Sequence, residues 1–276
     1  ASDYRWNAAS FLYLKGGKTG FNQSHFYQFQ KSTYDNLSLD SSTRLLKFNS
    51  RFNSVFIRNG VYPTSASYDN DFSITVNNDM LIRSACVGRS LIFNVFDPVT
   101  LQPWKNVDAN GNSLYLYGSG SASCGSGRMY NFEFSYMTPA SRKKMMDFMD
   151  TIPAGYYVAV RSIDTNIPNS FSATWRSDTA YFGSNNSLYH RLLAAGFTDI
   201  DSLNRPQCWA GMYKKKDSEF QPQFKFSSGI YDAIILSLSC PSPDTLGFIT
   251  SPRFGPARQW DQVIWNGKSL ESAAND

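Results

Sequence analysis

Glutamate is nearly missing from this chain: only Glu133, Glu219 and Glu271 occur in 276 residues. With so few helix-forming carboxylates and so many Ser and Asn side chains, turns and strands should dominate over long helices. Histidine is limited to His25 and His190. The four cysteines, Cys86, Cys124, Cys208 and Cys240, stand far apart, with no CxxC pair and no Cys/His cluster at zinc spacing. No structural metal and no cofactor is therefore expected. The cysteines allow two readings, buried thiols or one or two disulfides of unassigned pairing in an exported protein. No run approaches the roughly 18 uninterrupted apolar residues of a membrane span. An excess of one charge is also lacking, since 26 Lys and Arg face 22 Asp and Glu for a net +4. So mild and evenly spread a balance excludes the footprint of a nucleic-acid binder. No basic segment followed by an apolar one opens the chain, so no secretory leader is read in it, and Ala1-Ser2-Asp3 reads as the start of an excised piece.

What the chain does have is aromatic and apolar content. Hydrophobic residues make up 42% and aromatics 16%, the composition of a folded chain. At roughly 150 residues per domain the length suits one large domain or two modest ones. The polar, aromatic, β-rich character fits an extracellular or outer-membrane surface location.

Residues 10–62 alternate short apolar runs (FLYL, HFYQFQ, RLLKF, SVFI) with turn residues, predicting a β-rich segment. Within it, residues 54–62 read as two strands across an Asn59-Gly60 hairpin. The texture changes after SASYDND. FSITV (72–76) and MLIRSA (80–85) are short strands, and Leu91–Phe96 is more uniformly apolar, as expected of a central strand buried on both faces. The glycine-rich stretch 118–127 lacks a following Gly-Lys-Ser/Thr, so a surface loop is expected there rather than a phosphate cradle. Thr138-Pro139 predicts a helix start, and Met145, Phe148, Met149 and Ile152 give that helix one apolar face. Residues 156–160 form an emphatic strand. A second helix is predicted from Ser187 or Leu188 to Ala195, closed by Gly196. Further strands follow at 208–213 and 231–240. The expected architecture is an α/β (α+β) sandwich of mixed sheets with two main helices over about 71–242. It is flanked by β-rich segments 1–70 and 243–276 that could pair with each other.

Five ordered segments of the middle block carry a resemblance. They are Leu81–Asp97, Asn131-Phe132-Glu133-Phe134 with the Met145–Met149 helix, Ile152–Asp164, Leu188–Gly196 with Arg205–Met212, and the strand closing at Cys240-Pro241. Together they resemble the interleukin-like epithelial–mesenchymal-transition inducer family (PANDER-like, or GG, domains). Ser90 stands at the family's second glycine, and Thr165 at the second of its paired aspartates. More loosely, Gly20–Gln28 and Asp244–Phe248 are similar to segments of very large Bacteroidota surface proteins. Those are associated with type IX secretion and often carry a gingipain-type (PorU-like) sortase domain. Asp178-Thr179-Ala180, Asp201-Ser202-Leu203 and Asp244-Thr245-Leu246 also fit an O-glycosylation sequon of that phylum. Some members of the inducer family bind carbohydrate with a carboxylate and an Arg at strand ends. The resemblance thus implies roles for Asp164 and Arg205.

The residues themselves offer several chemistries. The loop DTNIPNSFSATWRSD after the 156–160 strand holds Asp164, Trp175, Arg176 and Asp178. Aromatic faces stack on sugar rings while Asp and Arg bond their hydroxyls; with the roles that the resemblance implies for Asp164 and Arg205, the candidate glycan site is Asp164, Trp175, Arg205 and Trp209. Two carboxylates, Asp164 and Asp178, suit a glycosidase only if 5–10 Å apart. Cys124 and His190 make a weak thiol–imidazole pairing. Lys214-Lys215-Lys216 beside Tyr213, and Arg142-Lys143-Lys144, read as solvated basic faces. The function expected is a non-catalytic extracellular binding module for glycan, inside a larger secreted protein. The rival is a structural or protein-interaction domain of a type IX secretion component without a small ligand.

Overall fold

A computed structural model describes residues 21–22, 33–40, 42, 45–83, 88–107, 116–118, 128–165, 171–244, 246–250 and 268–269. The expected strands at FLYL and HFYQFQ, together with Cys86, Cys124 and most of the glycine-rich stretch, lie outside them. The chain divides into two compact units, one comprising Ala1–Phe52 and Pro241–Asp276, the other Asn53–Cys240.

In chain order the strands begin with β1 (Phe21–Asn22), β2 (Thr33–Asp35), β3 (Leu37–Asp40), β4 (Leu45–Phe48), β5 (Ser50–Asn59), β6 (Val61–Tyr62), β7 (Ile74–Val76) and β8 (Asp79–Ile82). β9 (Ser90–Phe96) and β10 (Phe132–Ser135) lead into helix α1 (Pro139–Thr151) and β11 (Tyr157–Thr165). Three short helices follow, α2 (Phe171–Ser177), α3 (Thr179–Phe182) and α4 (Leu188–Ala194). The chain continues with β12 (Trp209–Lys214), β13 (Gln223–Phe226), β14 (Ile234–Pro243), β15 (Phe248–Thr250) and β16 (Lys268–Ser269). The fold is mixed α/β with antiparallel sheets.

In the smaller unit, β16-β1-β4-β3 form one sheet and β15 pairs with β2. Leu37, Phe48 and Ile249 make its small apolar cluster.

The larger unit is built on a sheet ordered β10-β9-β11-β12-β13, antiparallel throughout. Side chains alternate across a strand, and this sheet has two covered faces. Leu91, Phe93, Val95, Val158 and Val160 face a layer holding α1, α2 and α4 residues such as Met145, Phe148, Trp175 and Leu192. Phe96, Tyr157, Ala159 and Met212 face the opposite way, toward Val55, Ile57, Ile74, Val76 and Leu236 of the second sheet, ordered β14-β5-β7-β8. All of β9 is consequently buried, as its strongly apolar run requires. Each aromatic ring so buried contributes roughly 1.5–3 kcal/mol.

Local signals explain α1. Thr138 accepts a hydrogen bond from the Ser141 amide at 3.1 Å, and Pro139 sits in the first turn. The predicted face of Met145, Phe148, Met149 and Ile152 is buried. Two expectations need correction. Asn59-Gly60 is not a hairpin turn, because β6 runs on to pair in parallel with the end of β11, Val61 opposite Asp164. The Asn59 amide instead donates to the Ser162 and Trp209 carbonyls at 2.7 and 2.8 Å, and a Cβ at Gly60 would stand 2.7 Å from that of Ala66. Second, the stretch 164–178, read as a polar loop, contains α2 (Phe171–Ser177), because Phe171 and Trp175 at helical spacing are drawn into the core.

Candidate functional site

The four residues expected to bind a sugar are placed very differently. Trp175 is fully buried, its ring 5.8 Å from Tyr136 and 6.3 Å from Phe171. Trp209 is fully buried too, edge-on to Phe197 at 5.0 Å and stacked with Phe226 at 6.2 Å. Both indoles are core side chains, so the stacking faces expected of them are not at the surface. Arg205 is exposed, its Nε donating to Gln207 Oε1 at 3.5 Å. Asp164 contributes its backbone to the β6–β11 pairing; its side chain lies outside the described residues.

The other candidate chemistry is likewise absorbed by packing. Asp178 is not a loop carboxylate: it is 1% exposed and takes two bonds from Arg142, from Nε at 2.5 Å and Nη2 at 2.7 Å. Arg142, expected on a basic surface, is 2% exposed and gives its third bond to the Tyr136 carbonyl at 2.6 Å. Lys143 pairs with Asp147 one turn on. His190 has Nδ1 2.8 Å from Ser187 Oγ, but Ser187 is the buried residue at the start of α4. The Ser187 hydroxyl makes no cap bond to the helix, and its bond is the one to His190. Among the described residues no three His, Cys, Asp or Glu groups converge as a metal site, and no helix is long and apolar enough to cross a membrane. Cys208 and Cys240 are buried, the first with Sγ 3.7 Å from the Asp232 carbonyl, the second with Sγ 3.8 Å from Met212 Sδ. Burial pushes the Cys240 thiol up to about 12, with Lys214 opposing.

A second buried cation, Arg161, sits on the sheet face opposite the helices. Its Nη2 donates to Asn94 and Asn131 at 3.0 and 3.2 Å, while its Nε and Nη1 have no partner among the described residues. Burial lowers its pKa to about 10, against the pull of Glu133. Glu133 lies in the same row of the sheet, the two residues flanking Ile92.

Where the C-terminal ends of α1 and α4 meet the turn between β12 and β13, the surface opens into a cavity of about 490 Å³. The sequence positions each wall of it. The Met149 carbonyl, among the last in α1, has no intrahelical donor to meet, and Lys215 Nζ supplies one, as a cation at a helix C-terminus should. At the end of α4, Gly196 adopts φ +97° and Phe197 donates to the Leu192 carbonyl at 3.1 Å. Gly196 also lies against Pro222, which a Cβ would approach to 2.4 Å. The turn is held by Asp217, whose carboxylate accepts from the Glu219 and Phe220 amides and from Lys214 Nζ at 2.6 Å. That lysine bond, above the other contacts, holds the Asp217 carboxyl below the usual range. Arg191 pairs with Asp150 at 3.0 Å. Burial lowers the Lys215 ammonium, with Asp150 pulling the other way and Lys216 and Arg191 adding to the fall.

Tyr213 also lines this cavity. It is 3% exposed, and its hydroxyl is buried with no hydrogen-bond partner among the described residues. Burial, and then the Asp150 charge, raises its pKa, so the phenol stays protonated and can donate. Sequence reasoning singled out Tyr213 and Lys214-Lys215-Lys216 but read them as a solvated turn. Met149, Arg191 and Pro222, which close the cavity around them, are distant in sequence. Compared with known proteins, the chain matches no family model and no curated protein.

Proposed function

We propose that the chain is a non-catalytic binding module whose small polar ligand enters the cavity at Tyr213 and Lys215. One observation carries the reading: Tyr213 lines the cavity, and its buried hydroxyl has no partner among the described residues. Such a group costs about 1–3 kcal/mol of desolvation in the fold unless something binds to it. The cavity volume falls within the range of small-molecule sites. A saccharide in an extracellular or cell-surface Bacteroidota protein is the ligand and setting that the sequence resemblances favour. The segments resembling the interleukin-like inducer family fall on β8 and β9, β10, α1, β11, α4, β12 and β14, which supports a domain of that type.

A glycan array tests this reading, run with the chain and with Tyr213→Phe, Lys216→Ala, Arg205→Ala and Asp164→Ala. Loss of a specific signal in the first two variants supports the cavity. Loss only in the last two moves the site to the opposite strand ends. A blank array from folded protein favours the rival, a protein-interaction domain. That rival has its own observation: Phe56, Thr75 and Met80 lie in one row of the β14-β5-β7-β8 sheet, where Phe56 and Met80 are 40% and 47% exposed.

A further inference from the structure

We infer that this cavity is an anion site, taking a small molecule that carries a carboxylate or phosphate group held by Lys216, Lys215 and the Tyr213 hydroxyl. The inference rests on the binding-module reading above and names the charge of its ligand.

Charge accounting at the rim comes first. Lys214, Lys215, Lys216 and Arg191 line the cavity against two acids, Asp150 and Asp217. Each acid is already claimed, Asp150 by Arg191 at 3.0 Å and Asp217 by Lys214 at 2.6 Å. Lys216 has no ion pair among the described residues and is exposed. Lys215 gives one bond to the Met149 carbonyl, and an ammonium has three protons to donate. The rim therefore holds two positive charges in excess of its acids, one on a flexible stem at the mouth and one partly withdrawn from water.

The bland alternative is that Lys215 only caps α1. Capping explains one of its protons and leaves Tyr213 without explanation. Tyr213 packs against Phe197 at 5.7 Å, a contact that phenylalanine would make equally well. Its hydroxyl contributes nothing to that packing and costs desolvation, so it points to a ligand acceptor. A protonated phenol donates best to a charged oxygen, where a hydrogen bond is strongest. The C-terminal ends of α1 and α4 carry partial negative charge, which by itself would repel an anion. Lys215 at Met149 and Arg191 in the last turn of α4 offset it. Met149, Ala194 and Pro222 supply an apolar wall for the carbon skeleton, so an acidic sugar or a sugar phosphate fits better than a bare ion.

The test is calorimetric titration of the whole chain with glucuronate, glucose 6-phosphate, inorganic phosphate and glucose, at low salt and again near 1 M, where screening shortens to about 3 Å. The expected result is binding of an acid-bearing sugar at least about tenfold tighter than glucose, weakened by salt. Tyr213→Phe should weaken it about tenfold without lowering Tm, and Lys216→Ala should weaken it severalfold and reduce the salt dependence. Preference for glucuronate or for glucose 6-phosphate identifies the carboxylate or the phosphate as the group read. Glucose binding as tightly as the acids, or Tyr213→Phe binding like wild type, overturns the anion site and leaves the module reading standing. No binding of any of the four, together with a blank glycan array, overturns both.

Discussion

The two ends of the β11–β12 strand pair set their buried polar groups in different surroundings. At the Ser162–Trp209 end, several polar atoms are tied to one another through the backbone, while Asn59 Oδ1, Trp209 Nε1 and Arg161 Nε and Nη1 have no partner among the described residues. The Asn59 amide bonds two carbonyls, the Trp209 amide donates to Ser162 Oγ at 2.8 Å, and the Tyr136 carbonyl accepts a hydrogen bond from Arg142, itself clamped on Asp178. At the Tyr157–Lys214 end, a phenol is left unpaired beside a cavity whose cations outnumber its acids. Internal pairing fixes one geometry and leaves little for a ligand to improve. An unpaired buried donor leaves a free-energy gain that a bound molecule can realise. Of the residues with such atoms, Tyr213 is the one that lines the cavity, whereas Trp175 and Trp209 are core side chains.

The largest effect that would break this contrast is at the clamp. Asp178→Ala leaves the Arg142 guanidinium buried without its counter-charge, and removing one partner of a buried pair costs about 3–5 kcal/mol. Urea denaturation should show a loss of that size. Unchanged stability would mean that Asp178 is a solvated carboxylate after all. A double change to Arg142→Met and Asp178→Leu should recover most of the loss, because the uncompensated charge is gone. Next is Gly211→Ala in β12, where a Cβ would lie 2.5 Å from the Phe197 ring. That ring is wedged edge-on between Trp209 and Tyr213, so overpacking should cost about 1–3 kcal/mol. A measured change below about 0.5 kcal/mol, the level of neutral surface changes, would show that Phe197 has room to move.

How much of this was legible in the residues can be argued element by element. Helix α1 was, because Thr138, Pro139 and an apolar face at helical spacing all agree. So was β9, since Leu91, Ile92, Phe93, Val95 and Phe96, broken only by Asn94, leave a strongly apolar signature. Asn59-Gly60 misled, because the local preference of that dipeptide lost to two hydrogen bonds made across 103 and 150 residues of chain. Helix α2 is seven residues long with only Phe171, Ser172 and Trp175 facing inward, too short for a periodic signal amid Ser and Asn. The alternation in Gln223-Phe224-Lys225-Phe226 was visible but not read as a strand. For the site, the two tryptophans expected to present stacking faces are core side chains. Nothing local marks Trp175 and Trp209 as core, and nothing local tells that Arg142 and Asp178, 36 residues apart, meet.

A smaller effect sharpens the comparison through pH. Cys240 sits behind the cavity end with Met212, on the face of the sheet opposite the helices. Its thiol titrates near 9 when unfolded and is pushed up to about 12 in the fold. A folded-state pKa above the unfolded one gives stability that is complete below about pH 9 and lost as pH rises toward 12. Between pH 8 and pH 10 the loss should be about 1.4 kcal/mol, one unit's worth. Lys215, lowered by burial, works in the opposite sense over the same range, so the measurement is the difference in slope between wild type and Cys240→Ala. Equal slopes would show that the thiol is not shielded from water.

The smallest expected effect discriminates best between the two ends. Tyr213→Phe removes a hydroxyl that has no partner among the described residues and leaves the ring contacts with Phe197 in place. At the Asn59 end, removing a polar group strands the carbonyls it served, and a buried group left unsatisfied costs about 1–3 kcal/mol. At Tyr213 nothing is stranded, because the desolvated oxygen goes with the substitution. The stability of Tyr213→Phe should equal that of wild type or exceed it by up to about 1 kcal/mol. Thermal unfolding without ligand measures this directly. A loss greater than about 1 kcal/mol would mean that the hydroxyl is bonded within the protein, and the cavity would then be a gap between helix ends rather than a site.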